Sequence, residues 1–121
     1  MPFDWEEYLH LAKFLKDYND VGGSFSQQAT RRSAASRAYY ASYCYVCDYT
    51  KFTRDKKGED HGKLREHLKA KNLIVIASYL KDLRMWRNAC DYDTDLEFDL
   101  YAVANTSIAR AKEVFRRLKR K

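Results

Sequence analysis

After Pro2 the chain contains no proline, and its four glycines, Gly22, Gly23, Gly58 and Gly62, fall at only three places along 121 residues. Folds built of many short strands need a turn every few residues, and turns draw on Gly, Pro, Asn and Asp. A chain so poor in breakers is restricted to long helices with few connections. Its length suits one domain spanning residues 1–121, large enough to bury most of its apolar surface without disulfides or metals.

The spacing of apolar residues places those helices. Trp5, Tyr8, Leu9, Ala12 and Leu15 recur at steps of three and four, one face of a first helix. Asp4 and Glu7 have capping-box spacing at its start, and Asn19, Asp20, Gly22 and Gly23 end it. A second helix is predicted from about Phe25 to Phe52, opened by Ser24 with Gln27 three residues on. Ala34, Ala35, Ala38 and Ala41 allow neighbours to approach it closely, and Tyr39, Tyr40, Tyr43 and Tyr45 crowd its middle. The stretch from Arg54 to Asp60 has no apolar residue and reads as a loop. A short helix follows from about His61 to Leu68, then a longer one from about Asn72 to Ala89.

Asp91-Tyr92-Asp93-Thr94-Asp95 breaks that pattern, and Thr94 with Glu97 forms a capping box for the last helix. The stripe of that helix is Leu100, Val103, Ala104, Ser107, Ile108, Ala111, Val114 or Phe115, and Leu118. Four long helices and a short one, closely connected, imply an all-α antiparallel bundle.

The net charge is +6. Arg110, Lys112, Arg116, Arg117, Lys119, Arg120 and Lys121 carry seven positive charges against Glu113 alone, so this last segment accounts for all of it. A basic tail attracts polyanions such as RNA. The simpler reading is a solvated helix end, where the macrodipole favours cations. The N-terminal stretch is acidic and amphipathic, unlike a secretory signal. The longest apolar run, Leu73 to Ala77, is far below the roughly 20 residues needed to span a membrane. Three cysteines, Cys44, Cys47 and Cys90, cannot all pair within one chain. Together these features point to reduced thiols and a cytoplasmic setting.

Cys44-Tyr45-Val46-Cys47 has C-x-x-C spacing but lies within a predicted helix, without the βαβ context of a redox motif or a second pair to complete a zinc site. These cysteines read as core residues. His10, His61 and His67 adjoin no nucleophile motif. The informative segment is Leu83 to Asp93, in which Arg84 and Arg87 lie three apart, on one helical face. On spacing alone they form an ion-paired helix end with Asp91 or Asp93.

A wider pattern adds to this. Arg37-Ala38-Tyr39-Tyr40-Ala41, then His61-Gly62, then Leu83 through Arg87-Asn88 to Asp91-Tyr92, with a closing amphipathic helix, resembles the HEPN family over nearly the whole chain. The resemblance implies a helical bundle that forms a homodimer. It also implies action on RNA, typically as a metal-independent endoribonuclease of toxin–antitoxin or phage-defence systems, without a cofactor. The family signature is an Arg, a polar residue and, a few residues on, a His. Carried over, Arg87 is the Arg and Asn88 the polar residue, while Tyr92 stands where the His would be.

The chemistry so implied is attack of a ribose 2′-hydroxyl on the adjacent phosphate. Guanidinium suits the phosphate, with Arg84 assisting. Tyr92 is a weak base near neutrality, and Asp91 is weak for the opposite reason. Arg37, Tyr40 and His61 are supporting candidates, with Arg37 pairing with an acid and His61 capping a helix as the plainer alternatives. Arg116 and Arg117 are candidate RNA contacts in the tail. Three functions stay open: RNA cleavage, a dimerising module that docks a partner nucleotidyltransferase or nuclease, or simple RNA binding through the basic tail. In related pairs a minimal nucleotidyltransferase antitoxin modifies a tyrosine near the signature, which brings Tyr92 forward as a modification candidate.

Overall fold

The computed structural model describes residues 2–19, 22–54 and 60–119, with only the backbone of Asp60. Most of the loop expected over Arg54–Asp60, and Arg120 and Lys121 of the tail, lie outside the described residues. Five helices follow one another: α1 (Glu6–Asp17), α2 (Gln27–Thr50), α3 (Asp60–Ala70), α4 (Ile74–Tyr92) and α5 (Leu100–Lys119). The all-helical class expected from the sequence is present. No helix is long and apolar enough to cross a membrane among the described residues.

Named contacts give the helix directions. Arg37 lies over Tyr8 and Trp5 donates to Asp48, so α1 and α2 are antiparallel. Arg32 meets Cys90 and Arg87 meets Tyr40, so α2 and α4 are antiparallel. Arg110 pairs with Asp82 and Arg117 lies over Tyr79, so α4 and α5 are antiparallel. Consecutive long helices therefore alternate in direction. The exception to a wholly antiparallel arrangement is the diagonal pair: Arg31 stacks over Tyr101 and Tyr45 over Phe115, which makes α2 and α5 parallel.

That diagonal contact depends on small residues. Ala34, Ala38 and Ala41 of α2 and Ala104, Ser107 and Ala111 of α5 are all fully buried. The distance between helix axes follows the side chains at the contact, so these residues let α2 occupy the centre. One core cluster joins α2 to α3, α4 and α5 through Tyr39, Val46, Leu64, Leu68, Leu83 and Leu118. The other joins α2 to α1 and α5 through Leu9, Ala12, Ala38, Ile108 and Phe115. The last-helix stripe is buried from Ala104 to Leu118, with both Val114 and Phe115 inside, while Leu100 and Val103 at its start are half-buried.

The three cysteines are free and buried, as the core reading required. Burial pushes the Cys44 thiol up, that of Cys47 to about 12 and that of Cys90 to about 11. They are inert packing groups at neutral pH.

Helix ends are where the structure departs most from the sequence reading. Ser26, not Ser24, caps α2, accepting from the Ala29 amide at 3.2 Å. Asp4 accepts from the Glu6 amide at 3.0 Å, so α1 begins two residues after its cap candidate. The Thr94–Glu97 box does not open α5. Asp99 does, accepting from the Ala102 amide at 3.2 Å. The short helix extends to Ala70, and Asn72 precedes α4 in a left-handed turn, φ 61°, a conformation that asparagine tolerates.

The expected break at Asp91 is the largest correction, because α4 continues through Tyr92. The cause is remote in sequence. Arg32 on α2 donates from Nη1 to the carbonyls of Cys90 (3.0 Å) and Asp93 (2.6 Å), and from Nη2 to that of Thr94 (3.0 Å). These carbonyls at and just past the helix end have no partner further along the helix, and the guanidinium supplies one.

Candidate functional site

The extra turn of α4 carries Asp91 and Tyr92 onto the same helix as Arg84, Arg87 and Asn88. Arg87 is enclosed by its neighbours. Its Nε lies 2.8 Å from Asp91 Oδ2, and its side chain is only 14% exposed. Its Nη1 donates to Asn88 Oδ1 at 2.8 Å and its Nη2 to the Tyr92 hydroxyl at 3.4 Å. The guanidinium also lies over the rings of Tyr40 (5.0 Å) and Tyr92 (5.3 Å). Burial works against its charge, but Tyr40, Asp91 and Tyr92 more than compensate, and the Arg87 pKa is raised. The ion-paired reading of Arg87 with Asp91 is therefore correct, and Asp91 is further fixed by the Ser36 hydroxyl at 3.2 Å.

Tyr40 ties in a second cation. Arg37 lies between the rings of Tyr8 and Tyr40, at 4.9 and 5.2 Å. It has no acidic partner among the described residues, so the ion pair considered for it is replaced by two ring contacts. Arg37 thus supports the site through Tyr40.

Arg84 takes a different direction. It has no ion pair with Asp91 or Asp93. It faces a cavity of about 360 Å³ between α2, α3 and α4. The floor is Tyr39, Tyr43, Leu64 and Leu80, and Arg65, Lys81, Met85, Asn88 and His61 complete the walls. Asn88 belongs to both places, touching Arg87 with its oxygen while lining the cavity. The buried Nε of Arg84 has no hydrogen-bond partner among the described residues.

His61 lies within α3 rather than capping it. Its Nδ1 is 2.5 Å from the Tyr39 hydroxyl. Burial drives the Tyr39 phenol well above its ordinary range, so it stays protonated. Its hydrogen bond to Nδ1 fixes the His61 ring at the cavity wall.

The tail residues do not join this site. Arg116 and Arg117 both pair with Glu113, and Arg117 also lies over Tyr79. Tyr79 precedes Arg87 by about two helical turns, roughly 12 Å of rise. Lys119 pairs with Glu6 at 2.5 Å, so several tail charges serve the bundle itself.

Sequence reasoning missed Arg32, Arg65 and Lys81. Tyr39 was visible only as part of the Arg37-Ala38-Tyr39-Tyr40 run. No local signal marks Arg65 or Lys81, since their convergence depends on how α3 lies against α4. No family model, no curated protein and no solved structure matches this chain.

Proposed function

We propose that the chain is a HEPN-type protein acting on RNA as a homodimeric, metal-independent endoribonuclease of the toxin or phage-defence kind. The observation that carries this reading is the constellation around Arg87. A firmly charged guanidinium is locked by Asp91, Asn88 and Tyr92 beside a cavity rich in cations. Such a group stabilises charge developing on a phosphorane without moving during reaction. Arg84, one turn earlier on α4, faces the adjoining cavity.

The reaction is attack of the ribose 2′-oxygen on phosphorus with loss of the 5′-oxygen, leaving a 2′,3′-cyclic phosphate and a 5′-hydroxyl. One proton leaves the 2′-oxygen and one reaches the departing oxygen. Tyr92, 71% exposed, and Met85, 58% exposed, lie two turns apart on α4 and flank Asn88. A second copy meeting this face would place two Arg87 side chains near one phosphate.

A second reading rests on a specific observation. Asp91 already faces Arg87 and Ser36, and Nδ1 of His61 is held by the Tyr39 hydroxyl. Both candidate bases are committed to partners within the fold. This favours a dimerising module that holds RNA or docks a partner nucleotidyltransferase or nuclease.

The deciding experiment is incubation of purified protein with single-stranded RNA in EDTA. The nuclease reading expects ends with 2′,3′-cyclic phosphate and a loss of at least about 100-fold with Arg87→Ala, the size of effect seen when one oxyanion donor is removed. Folded, dimeric protein that leaves RNA intact would transfer the function to the docking module. For a cognate antitoxin of the minimal nucleotidyltransferase type, the exposed hydroxyl of Tyr92 is the modification point. Co-expression should add nucleotide mass at Tyr92, and an unchanged intact mass with Tyr92→Phe behaving as wild type would count against it.

A further inference from the structure

A second cleft lies between the segment leading into α1 and the end of α2, and the RNA reading makes no use of it. Phe3, Asp4 and Trp5 line it from the first side, and Tyr45, Asp48 and Tyr49 from α2, around a volume of about 310 Å³. Four of these residues are aromatic and two are acids, and no cation lines the cleft among the described residues. Asp48 follows Tyr40 by about two helical turns, roughly 12 Å of rise, so the cleft is set apart from Arg87.

The walls are held in place. Trp5 Nε1 donates to Asp48 Oδ2 at 2.8 Å, which ties the two sides together. Phe3 meets Trp5 edge-on at 4.8 Å between ring centres, and Tyr45 stacks on Phe115 at 4.3 Å. Phe3 and Tyr49 nevertheless remain 46% and 42% exposed. Asp4 Oδ1 accepts from the Glu6 amide and Asp48 Oδ2 from Trp5. A carboxylate offers about four acceptor positions, so both acids keep capacity for another donor.

The electrostatics favour a cation. Aromatic faces attract cations through their quadrupole. The C-terminal end of α2 carries partial negative charge, and its last turn has no basic residue. Glu6 and Glu7 in the first turn of α1 offset the opposite charge of that helix end. Two of the chain's own cations already border these aromatic groups. Arg54 lies over Trp5 at 5.5 Å, with its Nη2 3.9 Å from Asp48 Oδ1, beyond the length of a direct charge-assisted bond. Lys119 pairs with Glu6 and lies over Phe115 at 5.8 Å. Neither is among the lining residues.

We propose that this cleft binds a linear aliphatic diamine or polyamine. Its two ammonium groups face Asp4 and Asp48, and its methylene stem rests on Trp5, Tyr45 and Tyr49. Two carboxylates match a dication better than a single ammonium, and the volume, at the small end of ligand sites, suits a short chain. No residue of the cleft belongs to the Arg87 constellation, so the proposal stands independently of the RNA reading.

The test titrates the full chain with cadaverine. The protein has two tryptophans, so ¹⁵N indole signals compare Trp5 in the cleft with Trp86 on α4, and Trp86→Phe assigns them. Cadaverine should shift the Trp5 signal and leave that of Trp86 in place. Nα-acetyl-lysine amide, which offers a single ammonium, should bind at least about threefold more weakly, the upper range of an exposed ion pair. Asp4→Asn keeps a helix cap and Asp48→Asn keeps an acceptor for Trp5, and each should weaken cadaverine at least about threefold. Tyr49→Leu, at an exposed position, should lose about as much by removing a ring face. Arg54→Gln should tighten binding about twofold, since Arg54 competes for Asp48. Equal binding of the lysine amide and cadaverine overturns the diamine assignment and points to a lysine side chain of a partner protein. A silent Trp5 signal, or binding unchanged by Asp4→Asn, Asp48→Asn and Tyr49→Leu alike, overturns the site itself.

Discussion

Arg32→Met should lower the stability of the folded chain by about 2–3 kcal/mol, with the loss concentrated at the C-terminal end of α4. Arg32 makes three hydrogen bonds to main-chain carbonyls, at Cys90, Asp93 and Thr94. Hydrogen bonds to charged groups contribute about 1.5–3 kcal/mol each when shielded. The Asp93 and Thr94 bonds are exposed, so the sum is well short of three full contributions. Methionine keeps the hydrophobic stem and removes the fork.

Lysine at the same position should recover only part of the loss, because an ammonium cannot reach three carbonyls in a planar arrangement. Urea unfolding measures the total, and amide exchange at 88–92 locates it. An unchanged urea midpoint would mean that α4 keeps its last turn without Arg32. Because Arg87, Asp91 and Tyr92 occupy that turn, a frayed end would also weaken RNA cleavage or binding.

The second large effect is a loss of stability in alkali. The folded pKa of Cys47 is raised from 9.0 to about 12 and that of Cys90 from 9.0 to about 11, in both cases chiefly by burial. Tyr39 and Cys44 are raised for the same reason. The sign follows from proton counting. Above pH 9 the unfolded chain releases thiol protons that the folded chain retains, so rising pH favours the unfolded state.

Stability tied to these groups is complete below pH 9 and is lost as pH rises toward the folded values. Each unit of pH costs about 1.4 kcal/mol per affected group. Between pH 9 and 11 the two thiols should remove on the order of 4 kcal/mol, a large share of the roughly 5–15 kcal/mol that holds a typical domain. The urea midpoint should be level from pH 7 to 8 and fall steeply beyond 9. Cys47→Ala with Cys90→Ala should flatten that fall, while a level profile in the unsubstituted protein through pH 11 would show that the thiols are not desolvated as the fold requires.

Helix number, the inward faces of α1 and α5, and the packing role of the cysteines are properties of local spacing, although on α1 only Leu9 and Ala12 are fully covered. They were legible because a helix repeats every 3.6 residues and the apolar face must be covered. The alanines of α2 also announced close approach, though not that α2 would stand at the centre of the bundle.

Helix boundaries were less legible. Ser24 and Ser26 have similar local claims to the cap of α2, and the Thr94–Glu97 box competes with Asp99 to open α5. Which one does is set by where the neighbouring helices hold the chain, through energies of about 1 kcal/mol that tertiary contacts easily outweigh.

The site divides along the same line. Arg87, Asn88, Asp91 and Tyr92 lie within six consecutive residues, so a helix brings Arg87 and Asp91 together through i,i+4 spacing. The sequence alone determined that pair. Tertiary structure decided the rest. Only the packing of α2 against α4 puts Arg32 at the helix end and Tyr40 against Arg87. Only the placement of α3 sets His61 on Tyr39 and turns Arg65, Lys81 and Arg84 toward one cavity. Those convergences join residues up to 62 positions apart in the chain. They arise from the burial of apolar faces that contain none of the charges they bring together, and no local spacing rule encodes them.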